Sequence, residues 1–423
     1  MAKVLFRNVN VLDCTGAPPF TGQVLVEGNR IKAVAPQGAS IASDGARLVD
    51  GGGATLMPGL VEAHSHLTFL DTADLESLGF VPPEEHTLRT AKNAKKLLEQ
   101  GFTACNSAAS AKARLDVVIR NAIDAGDIPG PRTRAASPEL ATTAGLGDVR
   151  LRHMHRETFA IICDGPEEFR KTAREMVREG VDTLKINPSG DEFVPHCRAH
   201  HTVMTEAEIE AVCEVGRMHG KRVAAHARSA ESVRMCVRHG VDVVYHATYA
   251  DAAARDALES VKDRVFVAPA LSVTWTRLHE AGHYGLPSSD AIRARIERDL
   301  DATVECMRDL KSRGVRVLPG GDYGFLWNPH GRNARDLTYF TDLLGFTPME
   351  AIVAATAWGG ALMGGGLGTV QAGQLADLLL VDGDPLRDLA MLEDAGRLLA
   401  IMKDGAFHKA PPADLAARAR AAA

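Results

Sequence analysis

Arg222-Val-Ala-Ala-His226 and, a short stretch further on, Val241-Asp-Val-Val-Tyr-His246 decide the fold: two apolar runs, each closing on a histidine. Runs of the same kind recur on both sides. Upstream lie Gly59-Leu-Val-Glu-Ala-His64, Phe102-Thr-Ala-Cys-Asn106, Arg132-Thr-Arg-Ala-Ala136 and Val181-Asp-Thr-Leu-Lys-Ile186. Downstream lie Val265-Phe-Val-Ala-Pro269 and Val315-Arg-Val-Leu-Pro-Gly-Gly-Asp322. Longer helical patterns separate them, as over 86–100, 112–125, 166–180, 205–219 and 290–313. Short apolar runs alternating with helices read as strands of a parallel sheet. Eight such units predict an α/β chain built as a (β/α)8 TIM-like barrel, with functional groups at the C-terminal strand ends. A doubly wound open sheet is the rival reading.

The flanks have a different texture. Val4 to Leu12 and Gln23 to Val34 are β-branched runs, the second broken by the turn signal Glu27-Gly28-Asn29-Arg30. Ala376 to Pro385 and Leu398 to Phe407 repeat that character. Neither set can cover both its faces alone, so the two are expected to join. The prediction is a small β-sandwich domain from residues 1–56 and 366–410, a barrel over 57–365 and a tail at 411–423.

Composition narrows the partners. The net charge is −6 and no basic block occurs, which disfavours nucleic acid and anionic membranes and leaves a small-molecule substrate. No leader-like or membrane-spanning apolar run is present, and the seven scattered cysteines contain no CxxC pair. A cytoplasmic protein with reduced thiols is the expectation.

His64-Ser-His66 closes the first predicted strand, and positions i and i+2 of a strand share a face. Neutral imidazole is a favoured ligand for zinc and similar cations. Lys185 ends the fourth strand, His226 the fifth, His246 the sixth and Asp322 the eighth, so titratable groups crowd one mouth of the barrel.

Met57-Pro-Gly-Leu-Val-Glu-Ala-His-Ser-His66 resembles the first-strand signature of the amidohydrolase superfamily. Asp182-Thr-Leu-Lys-Ile-Asn-Pro-Ser-Gly190, Val223-Ala-Ala-His226, Val243-Val-Tyr-His246 and Pro319-Gly-Gly-Asp322 resemble its later metal strands. Gly373-Gln-Leu-Ala-Asp-Leu-Leu-Leu-Val-Asp-Gly-Asp-Pro385 is similar to its closing sheet segment. The branch most resembled holds imidazolonepropionase-like proteins and Xaa-Pro dipeptidase-like proteins. The resemblance implies two divalent cations, Zn2+ first with Mn2+ or Co2+ as alternatives. It places His64, His66 and Asp322 on the more buried one and His226 and His246 on the other. Lys185, carboxylated by CO2 to a carbamate, would bridge the two. It implies hydrolysis of a C–N bond in an amide, carbamate or urea by a hydroxide held between the cations, with Asp322 as proton shuttle. It also implies a homo-oligomer.

Departures from the family pattern refine this. Mononuclear deaminases carry a glutamate three residues after the fifth-strand histidine; here Ser229 stands there, which disfavours ring deamination. That serine, with Lys185 retained, also argues against imidazolonepropionase activity. Where dipeptidase-like relatives carry a tyrosine and a histidine, this chain has Met204 and Leu146, which counts against peptidase activity and favours a less polar, aromatic amide, carbamate or urea, with N-acyl amino acids among the open substrates. Candidates to replace those groups are Arg228, His153, His155, His196, His200, His201, Tyr323 and His330, the last also a candidate catalytic group. Trp275 and Trp327 are candidate walls of an apolar pocket. The rival functions are an Xaa-Pro-type dipeptidase, a phosphoester or lactone hydrolase on the same metal site, and a non-catalytic assembly protein.

Overall fold

The computed structural model describes residues 2–153, 158–192, 194–412 and 415. In chain order the N-terminal strands are β1 (Lys3–Val11), β2 (Phe20–Glu27), β3 (Arg30–Pro36), β4 (Arg47–Asp50) and β5 (Thr55–Pro58). The central strands are β6 (Leu60–Ser65), β7 (Phe102–Ser107), β8 (Arg132–Arg134), β9 (Ala136–Ala141) and β10 (Ala160–Ile162). They continue with β11 (Thr183–Ile186), β12 (Arg222–Ser229), β13 (Val243–Tyr249) and β14 (Phe266–Ala268). The last strands are β15 (Leu378–Val381), β16 (Leu398–Lys403) and β17 (Ala406–Lys409).

Both ends of the chain do meet in one sheet, ordered β17-β16-β15-β5-β1-β2-β3, with β4 also on β1. Hydrogen bonding makes it one branched eight-stranded sheet rather than two separate ones. It curls around its own core. Strands four places apart in a flat sheet lie roughly 19 Å apart, yet the rings of Phe6 on β1 and Phe407 on β17 are 6.0 Å apart. Side chains alternate across β15 accordingly. Leu378 and Leu380 join Phe6, Val24 and Met402 in the core of this sheet, while Leu379 and Val381 pack with the central core. A strand covered on both faces reads as an unbroken apolar run, which Leu-Leu-Leu-Val is.

The central strands are parallel and form two ladders, β6-β7-β8 and β10-β9-β11-β12-β13-β14. The third predicted strand spans both: β8 pairs with β7, β9 with β11, and Ala135 between them donates to the Asp182 carboxylate instead. The predicted eighth strand is corrected. Over 315–322 the backbone makes a single bridge, Val317 to Val267, and no ladder. Pro319 lacks a donor and the Gly320-Gly321 pair lacks side chains to pack, so the run cannot sustain one. It still fills the seam: Leu318 donates to Val267 (2.8 Å) and Ala63 on β6 donates to Pro319 (3.4 Å). A Cβ on Gly320 would lie 2.7 Å from the His64 nitrogen, so only glycine admits this approach to β6.

Helices surround the strands where the periodicity placed them. They include α1 (Pro83–Glu99), α2 (Leu115–Ala125), α3 (Pro166–Glu179), α4 (Glu206–His219), α5 (Ala230–His239), α6 (Ala252–Ser260), α7 (Leu271–His279) and α8 (Asp290–Ser312). Thr205 and Glu208 form a reciprocal capping box that starts α4 just past the β11 loop, and Gly220 ends it in the left-handed region. Among the described residues no helix is long and apolar enough to cross a membrane.

Candidate active site

Five segments deliver the six predicted metal ligands to one place. His64, His66, Lys185, His226, His246 and Asp322 all line a single cavity of about 40 Å3. The Asp322 carboxylate lies 3.2 Å from His66 Nε2 and 3.7 Å from His64 Nε2. Ligand atoms of His64, His246 and Asp322 lie within 4.8 Å of one another. The His226 and His246 rings are 4.3 Å apart.

The backbone is bent to achieve this. His246, Ala247 and Asp322 adopt φ values of 72°, 50° and 58°, in the left-handed region that side chains other than glycine avoid. Such strain persists where surrounding structure imposes it, and it falls here on two of the predicted ligands.

Electrostatics follow from burial. Burial pulls His64, His226 and His246 well below the ordinary histidine range, so each is a neutral imidazole with a lone pair to offer. Burial alone would raise the Asp322 carboxyl, but His64, His66 and Lys185 hold it well below the usual carboxylate range. Burial pulls the Lys185 amine down, against Glu139 and Asp322, which raise it. Ring nitrogens are oriented from behind. His66 Nδ1 meets the Ala109 carbonyl at 3.1 Å, and His226 Nε2 meets the Gly190 carbonyl at 3.0 Å. A carbonyl on one nitrogen fixes the tautomer and leaves the other nitrogen as the ligand atom.

A cavity lined by buried imidazoles, a carboxylate and a lysine fits a borderline divalent cation. Without one, the buried Nδ1 atoms of His64 and His246 have no hydrogen-bond partner among the described residues. The donor set and these unpartnered nitrogens suit a divalent cation.

Several neighbours carry no signal in the local sequence pattern. Tyr245 packs behind the lining residues: its ring lies 4.0 Å from the His64 ring and 4.8 Å from Lys185 Nζ, and its hydroxyl donates to the Ala63 carbonyl. Glu139, on the part of β9 beyond the expected strand end, lies 3.9 Å from Lys185 Nζ and accepts from Asn187. Asp191, on the loop after β11, lies 3.6 Å from His226 Nε2 and 2.8 Å from Arg228 Nε. Phe69, Leu75, Leu146, Phe159 and Phe325 give the cavity apolar walls.

The remaining candidates fall elsewhere. His330 is buried beside the cavity, where its ring meets the Phe69 carbonyl at 2.9 Å, and it is absent from the lining. The Tyr323 hydroxyl turns away to the Arg332 carbonyl. Trp327 stands behind Phe325 and donates to the Val273 carbonyl. Trp275 packs on Tyr339 in the helical layer. His153, His196, His200 and His201 are exposed, and His155 lies outside the described residues. Arg228 is buried in an ion cluster with Asp191 and Asp299 rather than open to solvent. Met204 is buried in the core, whereas Leu146 does line the cavity.

Parallel strands that carry a histidine-rich cavity, joined to a sheet built from both chain ends, define the architecture of a hydrolase family. Residues 55–407 match the amidohydrolase family, and the chain belongs to that family. It is 24% identical to ochratoxinase of Aspergillus niger over 378 residues, covering 84% of this chain and 76% of that one. It is 25% identical to imidazolonepropionase of Rubrobacter xylanophilus over 411 residues, covering 90% and 89%. A solved prolidase bound to N-methylphosphonate-L-proline superposes with a TM-score of 0.86 at 25% identity, covering 97% of this chain and 100% of the other. The protein is therefore an α/β TIM-barrel hydrolase acting on amide-type C–N bonds.

Proposed function

We propose that the protein hydrolyses amides of apolar or aromatic character at a site for two divalent cations, zinc first and manganese or cobalt as alternatives. His64, His66 and Asp322 would hold one, His226 and His246 the other, and Lys185 would serve both as its carbamate. Such cations, when bound, polarise a carbonyl and acidify water. Lys185 has the setting for carboxylation: it is fully buried, and Glu139 is the carboxylate beside its nitrogen. Attack of the neutral amine on CO2 forms an N–C bond and releases one proton.

Asp322 is the proton carrier of this reading. Its Oδ1 faces both His64 and His66, so it can take a proton from the attacking water and return it to the departing nitrogen. An amine leaves poorly unless protonated, so this second transfer matters as much as the first. The phenylalanines around the cavity exclude bulk water and suit an apolar acyl group. His330 acts as a positioning residue, tying the Phe69 carbonyl, whose ring stacks on His66 at 4.1 Å.

The observation that carries the reading is the convergence of those six side chains in one cavity. A dipeptidase reading draws on the likeness to prolidase. Leu146 in the cavity wall counts against it, because an apolar side chain cannot grip a peptide terminus. The test is a metal-loaded assay of N-acyl amino acids, dipeptides, anilides, phenylureas, ochratoxin and a nitrophenyl phosphate ester. It is run on the wild type and on Lys185→Ala, with and without added short carboxylates. Loss of amide hydrolysis in the variant, partly restored by the carboxylate, is expected. Full activity in the alanine variant removes the bridging role, and phosphate-ester turnover without amide turnover removes the proposed chemistry.

A further inference from the structure

Beside the metal cavity lies a second and larger one of about 350 Å3, and Asp191 lines both. The small cavity has room for ions, water and a scissile group; the large one has the size of a small-ligand pocket. Its walls come from the loop after β11, from Arg228 on β12, and from α7 and α8. On α8 the lining residues Ile292, Arg295, Ile296 and Asp299 follow helical spacing, so one face of that helix is turned to the pocket.

The charge on this wall is unequal. Four guanidiniums line it, from Arg198, Arg228, Arg277 and Arg295, against three carboxylates, from Asp191, Glu192 and Asp299. Arg228 is engaged by Asp191 at 2.8 Å and Asp299 at 3.7 Å. Arg198 and Arg295 share Glu192, at 3.4 and 3.2 Å. Arg277 remains. Its Nη2 donates to the Pro287 carbonyl at 2.8 Å and its guanidinium carbon lies 5.7 Å from the centre of the Trp327 ring, which together fix its direction. Its Nη1 is buried with no hydrogen-bond partner, and among the described residues no carboxylate lies within ion-pair distance of it. A guanidinium that lines the pocket without a carboxylate partner favours an anion entering beside it. Pro195, Ile292 and Ile296 supply apolar surface beside it.

We infer that this second cavity binds a carboxylate of the substrate, with Arg277 as the recognising group, so that the amides hydrolysed carry one free carboxylate beside an apolar side chain. N-acyl amino acids are the simplest members of that class. The inference rests on the amide-hydrolase reading for its substrate and on Arg277 for its selectivity. Specificity is thereby moved away from the positions of Met204 and Leu146 to the α7–α8 side of the barrel mouth.

The test compares N-benzoyl-L-phenylalanine with its carboxamide, which has the same shape and no charge. Binding is measured by calorimetry on metal-stripped protein, and hydrolysis separately on metal-loaded protein. The wild type is expected to bind the acid about ten- to hundred-fold more tightly than the carboxamide, the range of a charge-assisted pair. In Arg277→Ala and Arg277→Gln that ratio should fall to about one, and Arg277→Lys should keep part of it. Equal binding of acid and carboxamide by the wild type overturns the inference, as does an alanine variant that keeps the ratio. Acid-selective binding that depends on Arg277, in protein that hydrolyses neither probe nor any other amide, sustains the pocket and removes the amide-hydrolase reading instead.

Discussion

Replacing Arg228 by methionine is expected to cost about 3–5 kcal/mol of stability at pH 8, the range for removing one partner of a buried ion cluster. The reasoning starts from distances. The Arg228 guanidinium touches Asp191 at 2.8 Å and Asp299 at 3.7 Å, and all three side chains are nearly sealed from solvent. Methionine fills much of the volume and leaves two buried carboxylates without their cation. Asp299 keeps the Tyr249 hydroxyl as a donor. Burial already pushes the Asp299 carboxyl up, while Arg228 and Tyr249 hold it down, so the variant drives it higher still. A carboxyl raised above its unfolded value leaves stability intact below that unfolded value and erodes it as pH rises toward the folded one. The defect should therefore be small near pH 4 and grow steadily toward pH 8. Urea denaturation of metal-stripped wild type and variant across that range measures it. A loss below about 1 kcal/mol at pH 8, or a loss that does not shrink in acid, refutes the assignment of Arg228 as the counter-ion of these aspartates.

Dialysis against a chelator should abolish amide hydrolysis, and zinc, manganese or cobalt should restore it with about two ions bound per chain by elemental analysis; full turnover by metal-free protein would contradict the site. Gly320→Ala should lose most activity and about 1–3 kcal/mol of stability in urea, because the new methyl meets the His64 backbone 2.7 Å away. Burial raises the Asp336 carboxyl to about 7. Its ionisation should therefore erode wild-type stability as pH rises from the ordinary carboxylate range toward 7, and Asp336→Asn should flatten that slope in pH-dependent melts.

The candidate site was legible in the chain because its residues close apolar runs of sequence, where local pattern and function coincide. His64 with His66, Lys185, His226, His246 and Asp322 could each be placed by finding where an apolar run stops. Residues reaching the cavity by another route left no such mark. Glu139 lies on the stretch of β9 past the point where the pattern around Arg132 fades, and Asp191 sits in an irregular loop. Tyr245 looked like one more apolar strand residue until packing set its ring against His64. The eighth segment misled for the opposite reason. Its Val-Arg-Val-Leu start has strand character, but Pro319 and two glycines remove the means of pairing, and the left-handed Asp322 completes the break. His330 sits close in sequence to Asp322, yet its ring is committed to the Phe69 carbonyl. Sequence proximity does not set the direction of a side chain.

The pairing of β5 with β15 has a bearing on how the molecule is made. The Thr55 hydroxyl donates to the Gly383 carbonyl 328 positions later, and Pro58 stands opposite Leu378, just ahead of the strand that carries His64. A nascent chain emerging from the ribosome exposes β5 long before its partner exists. Until β15 is synthesised, the apolar residues of β5 have only half their cover, and the strand bearing the first two histidines lacks its anchor. A chain stalled short of Val381 therefore leaves β5 without one of its two partner strands, and β6 without the neighbour that anchors its start.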